Sequence, residues 1–270
     1  MALMELRSVS KQFGQVSAVS HVSLRIEKGE VLCLLGDNGA GKSTLIKIMS
    51  GVHMPSSGEV RVDGEPVRFD SPRRAQDMGI STLHQDVGAL PLMSVSRNFF
   101  LGREPERGWG PFRRLDTKRS SEIALEQLAA IGIRRVQSGD QLVGTLSGGE
   151  QQALAISRAL YFGARLLILD EPTSALGVKE AGVVLRLIKQ AKAQGIAIVF
   201  ITHNAYHALT VGDRFTVLIH GAVAADFARG ERSREDLLNL MAGGEELESL
   251  QADLEELDHA DATAQNGRSG

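Results

Sequence analysis

The chain has 270 residues, of which 43% are hydrophobic and 23% charged, the balance of an ordinary globular protein. Its net charge of −3 gives no global electrostatic reason to bind nucleic acid, for which a basic face is expected. The single cysteine, Cys33, excludes an intrachain disulfide, and no apolar run approaches the ~18 residues that span a bilayer. This length can bury one core, or one core with a small attached subdomain.

Glu5 and Arg7 precede any apolar stretch, so no signal peptide is expected. Residues 4–9 and 16–26 read as strands, and Lys28-Gly29-Glu30 as a turn. Residues 31–35 form an apolar strand that contains Cys33, which reads as a small buried core residue. That strand delivers the chain into a glycine-rich loop, and residues 42–49 continue as a helix that Gly51 stops. Residues 59–62, the Asp63-Gly64 turn and residues 66–69 suggest a hairpin, and residues 80–84 another core strand.

From about residue 86 to 160 strand alternation is missing. Ile123, Leu125, Leu128 and Ile131 give a helical stripe over 121–131, which predicts a mostly helical subdomain inserted into the core. Arg103, Arg107, Arg113, Arg114 and Arg119 read as solvated surface, given nearby acids and few aromatics. Strands return at 165–170 and 196–202, separated by a helix over 178–193, the alternation of a parallel α/β sheet. Beyond Gly243 the composition turns acidic. Leu247, Leu250, Leu254 and Leu257 keep helical spacing, and the last ten residues read as disordered.

The chemistry concentrates in three segments. Gly36-Asp37-Asn38-Gly39-Ala40-Gly41-Lys42-Ser43-Thr44 fits G-x-x-x-x-G-K-[ST] completely. Its glycines let backbone N–H groups face phosphate oxygens, and the following helix adds its positive end. Lys42 suits the β and γ phosphates, and the Ser43 hydroxyl suits Mg²⁺. The glycine spacing excludes a dinucleotide fingerprint, so the ligand is a nucleotide such as ATP.

Asp170 and Glu171 end an apolar strand and so fall at the ligand edge of a parallel sheet. Asp170 is expected to hold Mg²⁺ through a water, and Glu171 to take the proton of the water attacking the γ phosphate. Gln85, at the end of its strand, is expected near both the metal and that water. His203, after residues 197–202, is expected to reach the γ phosphate as a donor. By themselves, a lone glutamine and a lone histidine are ordinary surface or structural residues. In Leu146-Ser147-Gly148-Gly149-Glu150-Gln151-Gln152, a hydroxyl, two glycines and a helix start near Glu150 make a second phosphate-directed element. Two such elements predict head-to-tail pairing of two chains around ATP.

Taken together, the phosphate loop, Gln85, LSGGEQQ, LILDEPTSAL and His203 occur in the order of an ABC-transporter ATPase, which the chain resembles from about residue 3 to 240. The resemblance implies a P-loop NTPase (RecA-like) α/β core with an N-terminal antiparallel β subdomain and an inserted helical subdomain. The ATPase domain would cover 1–242, with an acidic tail over 243–270. It places Phe13 as the aromatic that stacks on adenine, where many relatives have tyrosine, and makes Gln85 the link to the helical subdomain. The segment after Gln85 would receive the coupling helix of a membrane permease. The chain departs from the family pattern at Gly177, where most relatives carry an aspartate that helps align the paired sites, so tight coordination between the sites is in question.

Residues 85–104 and 175–180 resemble bacterial monosaccharide importers of the ribose, xylose and fructose type. Many of those join two cassettes in one chain, whereas this sequence resembles the single-cassette branch and is expected to act as a homodimer. The segment after Leu240 is too short for the C-terminal regulatory domain of oligosaccharide-import ATPases. The expectation is a peripheral, Mg²⁺-dependent ATPase on the cytoplasmic face of the membrane, serving permease subunits and, indirectly, an external solute-binding protein. An importer of amino acids or another small solute is the alternative within transport. A soluble ABC ATPase acting on DNA or ribosomes is the alternative outside it, although the coiled-coil or zinc insertions of that class are missing.

Overall fold

The computed structural model describes residues 2–84 and 88–241. Two long strands, β1 (Ala2–Phe13) and β2 (Val16–Glu27), open the chain. After them β3 (Val31–Leu35), buried along its whole length, leads into α1 (Lys42–Met49). Next come β4 (Ser57–Val62) and β5 (Glu65–Val67), joined by a turn in which Asp63 and Gly64 both have positive φ, the pattern of a tight hairpin. Then follow α2 (Pro72–Asp77) and β6 (Ile80–Leu83).

The middle of the chain holds α3 (Val95–Phe100), the hairpin β7 (Glu106–Arg107) and β8 (Arg114–Leu115), α4 (Thr117–Ala130) and α5 (Gly148–Tyr161). Beyond it lie β9 (Leu166–Asp170), α6 (Val178–Ala193), β10 (Ala197–Ile201), α7 (Ala205–Val211), β11 (Arg214–Ile219), β12 (Ala222–Ala228) and α8 (Arg234–Met241).

The main sheet runs β12-β11-β3-β10-β9-β6, with only β12 antiparallel to its neighbour. A four-stranded antiparallel sheet, β2-β1-β4-β5, packs beside it. Successive side chains of a strand point to opposite faces, and here both faces are covered. Val31, Cys33, Leu35, Leu167, Leu169, Ile198 and Phe200 pack with Phe99, Ile156, Val184 and Ile188 of the middle helices and α6. Their neighbours Leu32, Leu34, Leu166, Ile168, Val199 and Ile201 pack on the other face with Leu45, Ile46 and Met49 of α1 and with Leu6 and Leu24 of the antiparallel sheet. Cys33 is fully buried, its Sγ lies 3.6 Å from the Ala208 carbonyl, and burial pushes its thiol pKa well up.

Differences from the sequence reading are local. Helix α4 starts at Thr117 rather than 121, because the Asp116 carboxylate accepts from the Arg119 N–H (3.0 Å) and caps it. The mostly helical middle segment also holds the β7–β8 hairpin, whose two-residue strands are too short to show alternation. The tip of the hairpin exposes Trp109 and Phe112, and all five of the named arginines are exposed. The end of α3 is fixed to the end of α5 by Phe99, Phe100, Tyr161 and Phe162, whose ring centroids lie 5.1–6.3 Å apart. Among the described residues no helix is long and apolar enough to cross a membrane.

Candidate active site

Strands β3, β9 and β10 are neighbours in the main sheet and end at the same edge, so the loops that follow them converge there. The loop after β3 is shaped by close backbone packing. Gly36 has φ +139°, and a Cβ there would lie 2.3 Å from the Leu218 carbonyl oxygen. Gly41 has φ +97°, and a Cβ there would lie 2.5 Å from the Ala18 carbonyl oxygen. Neither position admits a side chain. Inside the loop, Asn38 N–H donates to Asp37 Oδ1 (2.7 Å) and Ala40 N–H to the Asp37 carbonyl (3.2 Å).

Lys42 folds back over this loop and donates to the Gly36 and Asp37 carbonyls at 2.7 and 2.9 Å. Burial pulls its pKa down, while the negative charges of Glu171, Asp37 and Asp170 act in the opposite direction. One ammonium thus shares its field with carboxylates from two distant segments. Helix α1 has Gly41 at its N-cap, with no side-chain cap and no acid in its first turn, so its positive end is left open. Ser43 is exposed at that end, beside Thr44, while Asp37, Asn38 and Gly39 are exposed on the loop.

Asp170 ends β9, and its Oδ2 lies 3.6 Å from His84 Nδ1 at the end of β6. Glu171 follows with φ +51°, a left-handed conformation that is strained for a residue with a side chain. Its N–H donates to the Ile201 carbonyl of β10 (3.1 Å). His203 Nδ1 comes within 2.9 Å of Glu171 Oε2, yet off the line of a hydrogen bond, and this buried oxygen has no hydrogen-bond partner among the described residues. The buried Glu171 oxygen without a donor and the Asp170 carboxylate before it are hard oxygen donors at this edge, as is the exposed Ser43 hydroxyl on the loop after β3. They fit Mg²⁺, which is commonly held by one or two carboxylates together with phosphate oxygens.

The second phosphate-directed element sits apart. Ser147 caps α5: its Oγ accepts from Glu150 N–H (3.3 Å), and Glu150 Oε2 accepts from Ser147 N–H (2.9 Å), a closed capping box. Gly149 is buried against Glu180 of α6, and Gly148 faces Leu176. Among the described residues no hydrogen bond or ion pair joins residues 147–150 to residues 36–44. Gly177 carries no side chain to contribute, and its N–H donates to Glu180 Oε2 (3.3 Å).

Phe13, at the end of β1, is 45% exposed and meets His53 edge-on, with 5.3 Å between centroids. Lys11 Nζ lies 5.2 Å from the centroid of the same ring. Gln85 and the acidic segment 243–270 lie outside the described residues. The sequence reading missed His84, Lys11, His53 and a hydrogen-bonded pair, Thr173 and His207. For His207 the only signal was a second histidine four residues after His203.

The ABC transporter family model matches residues 19–174. The chain is 41% identical over 239 residues to a xylose/arabinose import ATP-binding protein of Sulfolobus acidocaldarius, covering 88% of this chain and 93% of that protein. It is 38% identical over 249 residues to a fructose import ATP-binding protein of Rhizobium meliloti, covering 90% and 95%. Among solved structures it resembles a dimeric ATP-binding cassette in a post-hydrolysis state with ADP and Pi. That match has a TM-score of 0.69 and 27% identity, and covers 85% of this chain and 99% of that one.

Proposed function

This chain belongs to the ABC transporter family as an ATP-binding subunit, and on that premise we propose that it hydrolyses ATP to drive import of a monosaccharide through separate permease subunits. The sugar reading is supported by the xylose/arabinose and fructose import proteins at 41% and 38% identity over most of the chain. It works as a peripheral subunit on the cytoplasmic face, where ATP is available, and an external solute-binding protein feeds the same permease. ATP joins two copies head to tail, a reading supported by the likeness to a dimeric cassette.

The observation that carries the chemistry is the convergence at one sheet edge of the loop that Lys42 folds over and of Asp170 and Glu171, whose buried Oε2 has no hydrogen-bond partner among the described residues. In this reading residues 36–44 cradle the phosphates with backbone N–H groups and the Lys42 ammonium, while Phe13 offers its exposed ring to adenine. Ser43, Asp170 and Gln85 would hold Mg²⁺. Once bound, the ion neutralises charge on the phosphate oxygens. Glu171 takes a proton from water as the water oxygen bonds to the γ phosphorus and the bond to the β–γ bridging oxygen breaks. His203, 2.9 Å from Glu171, donates toward the γ phosphate. Ser147, Gly148, Gly149 and Glu150 of the second copy close the site.

Glu171→Gln separates binding from chemistry. Removal of a general base lowers hydrolysis by roughly 10²–10⁴-fold. The variant should retain ATP and accumulate as an ATP-bound dimer in size-exclusion chromatography. Turnover at the unaltered rate would show that another group takes the proton. Stimulation of ATPase activity by candidate sugars, in vesicles holding the permease and its binding protein, tests the transport assignment.

A further inference from the structure

We infer that His207 is a positioning residue for hydrolysis: through Thr173 it locks the loop bearing Glu171 to the loop bearing His203. The inference rests on the ATPase reading above and adds to it a residue outside the phosphate, metal and water contacts.

Strands β9 and β10 pair in parallel up to Asp170 and Ile201. Beyond that pair the ladder stops, and each loop must be held by other means. Glu171 N–H still reaches the Ile201 carbonyl, but His203 and Glu171 meet without a hydrogen bond. Thr173 Oγ1 and His207 Nδ1, 3.0 Å apart, supply a side-chain hydrogen bond from the loop after β9 to the first turn of α7, which directly follows the loop bearing His203, its direction set by the imidazole tautomer. Thr173 is 3% exposed, so a broken bond would leave its hydroxyl buried and unpaired.

Both ends of this tie are themselves fixed. On the β10 side the Asn204 side chain caps α7 by accepting from His207 N–H (3.1 Å), and Asn204 N–H donates to the buried Thr202 hydroxyl (3.0 Å). On the β9 side the Ser174 hydroxyl and N–H both donate to the Glu171 carbonyl, at 3.0 and 3.2 Å, and Leu176 N–H donates to the Thr173 carbonyl. Burial, followed by the nearby His203, lowers the His207 pKa, which favours the neutral ring, whose Nδ1 can either donate to or accept from the Thr173 hydroxyl.

The tie lies two residues from Glu171, whose left-handed backbone persists only while its surroundings over-determine it. Freeing Thr173 gives that backbone room to relax, and the carboxylate moves with it. A cavity of about 190 Å³, lined in part by Thr173, Ser174, Leu176, His203 and His207, gives the loops space for such a shift. Small misplacement of a reacting group costs rate rather than affinity.

The test is steady-state ATPase kinetics on the full chain, with nucleotide affinity and melting temperature measured alongside. His207→Ala and Thr173→Val should each lower kcat by roughly tenfold, with KM for ATP and ATP affinity within about twofold of the unaltered protein. His207→Asn, whose amide can replace Nδ1, should recover most of the loss. The double variant His207→Ala/Thr173→Val should be no slower than the worse single one, because both remove the same bond. If His207→Ala does not fold, the nearly isosteric Thr173→Val and the His207→Asn variant carry the test. Unchanged kcat in a folded variant that lacks the bond, losses that multiply in the double variant, or a rise in KM alone would overturn the inference. Failure of the unaltered protein to hydrolyse ATP would instead remove the ATPase reading beneath it.

Discussion

Helices α1 and α5 both start in glycine-rich, hydroxyl-bearing runs, yet their N-termini are finished in opposite ways. The first turn of α1 has no side-chain cap and no acid, and it rises from a loop whose form is set by the backbones at Ala18 and Leu218. The first turn of α5 is closed on itself by Ser147 and Glu150, with the Glu150 carboxylate against its positive end. An open N-terminus is a standing anion site. A self-capped one is stable alone, and it offers a partner's phosphate only the groups its capping box leaves over, the Ser147 hydroxyl proton and the Gly148 and Gly149 N–H groups, beside the Glu150 negative charge. The difference separates nucleotide capture, the task of one chain, from closure, the task proposed for two.

Breaking the open end should have the largest effect. Lys42→Ala removes charge-assisted hydrogen bonds worth about 1.5–3 kcal/mol each, so ATP affinity should fall by at least about 100-fold in a fluorescent-nucleotide titration. Normal affinity would refute the phosphate role of the loop. Ser147→Ala should act more mildly and elsewhere. Loss of the cap costs about 1 kcal/mol of stability, visible as a lower melting temperature, while ATP affinity of the single chain stays unchanged. ATP-dependent dimer formation, followed by analytical ultracentrifugation, should weaken in that variant; an unaltered dimer would argue against a trans role for Ser147.

Glu150→Gln is the finest probe of the contrast. The amide oxygen can still accept from Ser147 N–H, so stability should move by less than about 0.5 kcal/mol. With the negative charge gone, ATP-dependent dimers should form a few-fold more readily. Weaker dimers would mean that the carboxylate assists closure instead of competing with phosphate.

Much of this arrangement was legible in the sequence, and the reason differs from element to element. Helices α1 and α6 begin and end where the apolar spacing and Gly51 predicted, and β3, β9 and β10 announced themselves as short apolar runs because both of their faces are buried. Helices α2, α3, α7 and α8 are six to eight residues long, too short for a helical period to stand out from local composition. At the site, the G-x-x-x-x-G-K-[ST] loop and the two acids after β9 are legible because backbone geometry dictates their residue types. Thr173 and His207 are not, since a side chain on the loop after β9 and one in the first turn of α7 meet only after β9 and β10 have paired. His84 reaches Asp170 by the same route, through the pairing of β6 with β9.

Cys33 has a practical consequence for following these movements. The thiol is buried in the middle of β3 against α7, and burial raises its pKa, which disfavours the thiolate that alkylating reagents attack. As the chain's only cysteine, it should leave the native protein unlabelled by maleimide dyes. A cysteine introduced at an exposed position, such as Trp109→Cys, would take up label at a single site without a cysteine-free background. Energy transfer between donor- and acceptor-labelled copies would then report the approach of two chains in real time.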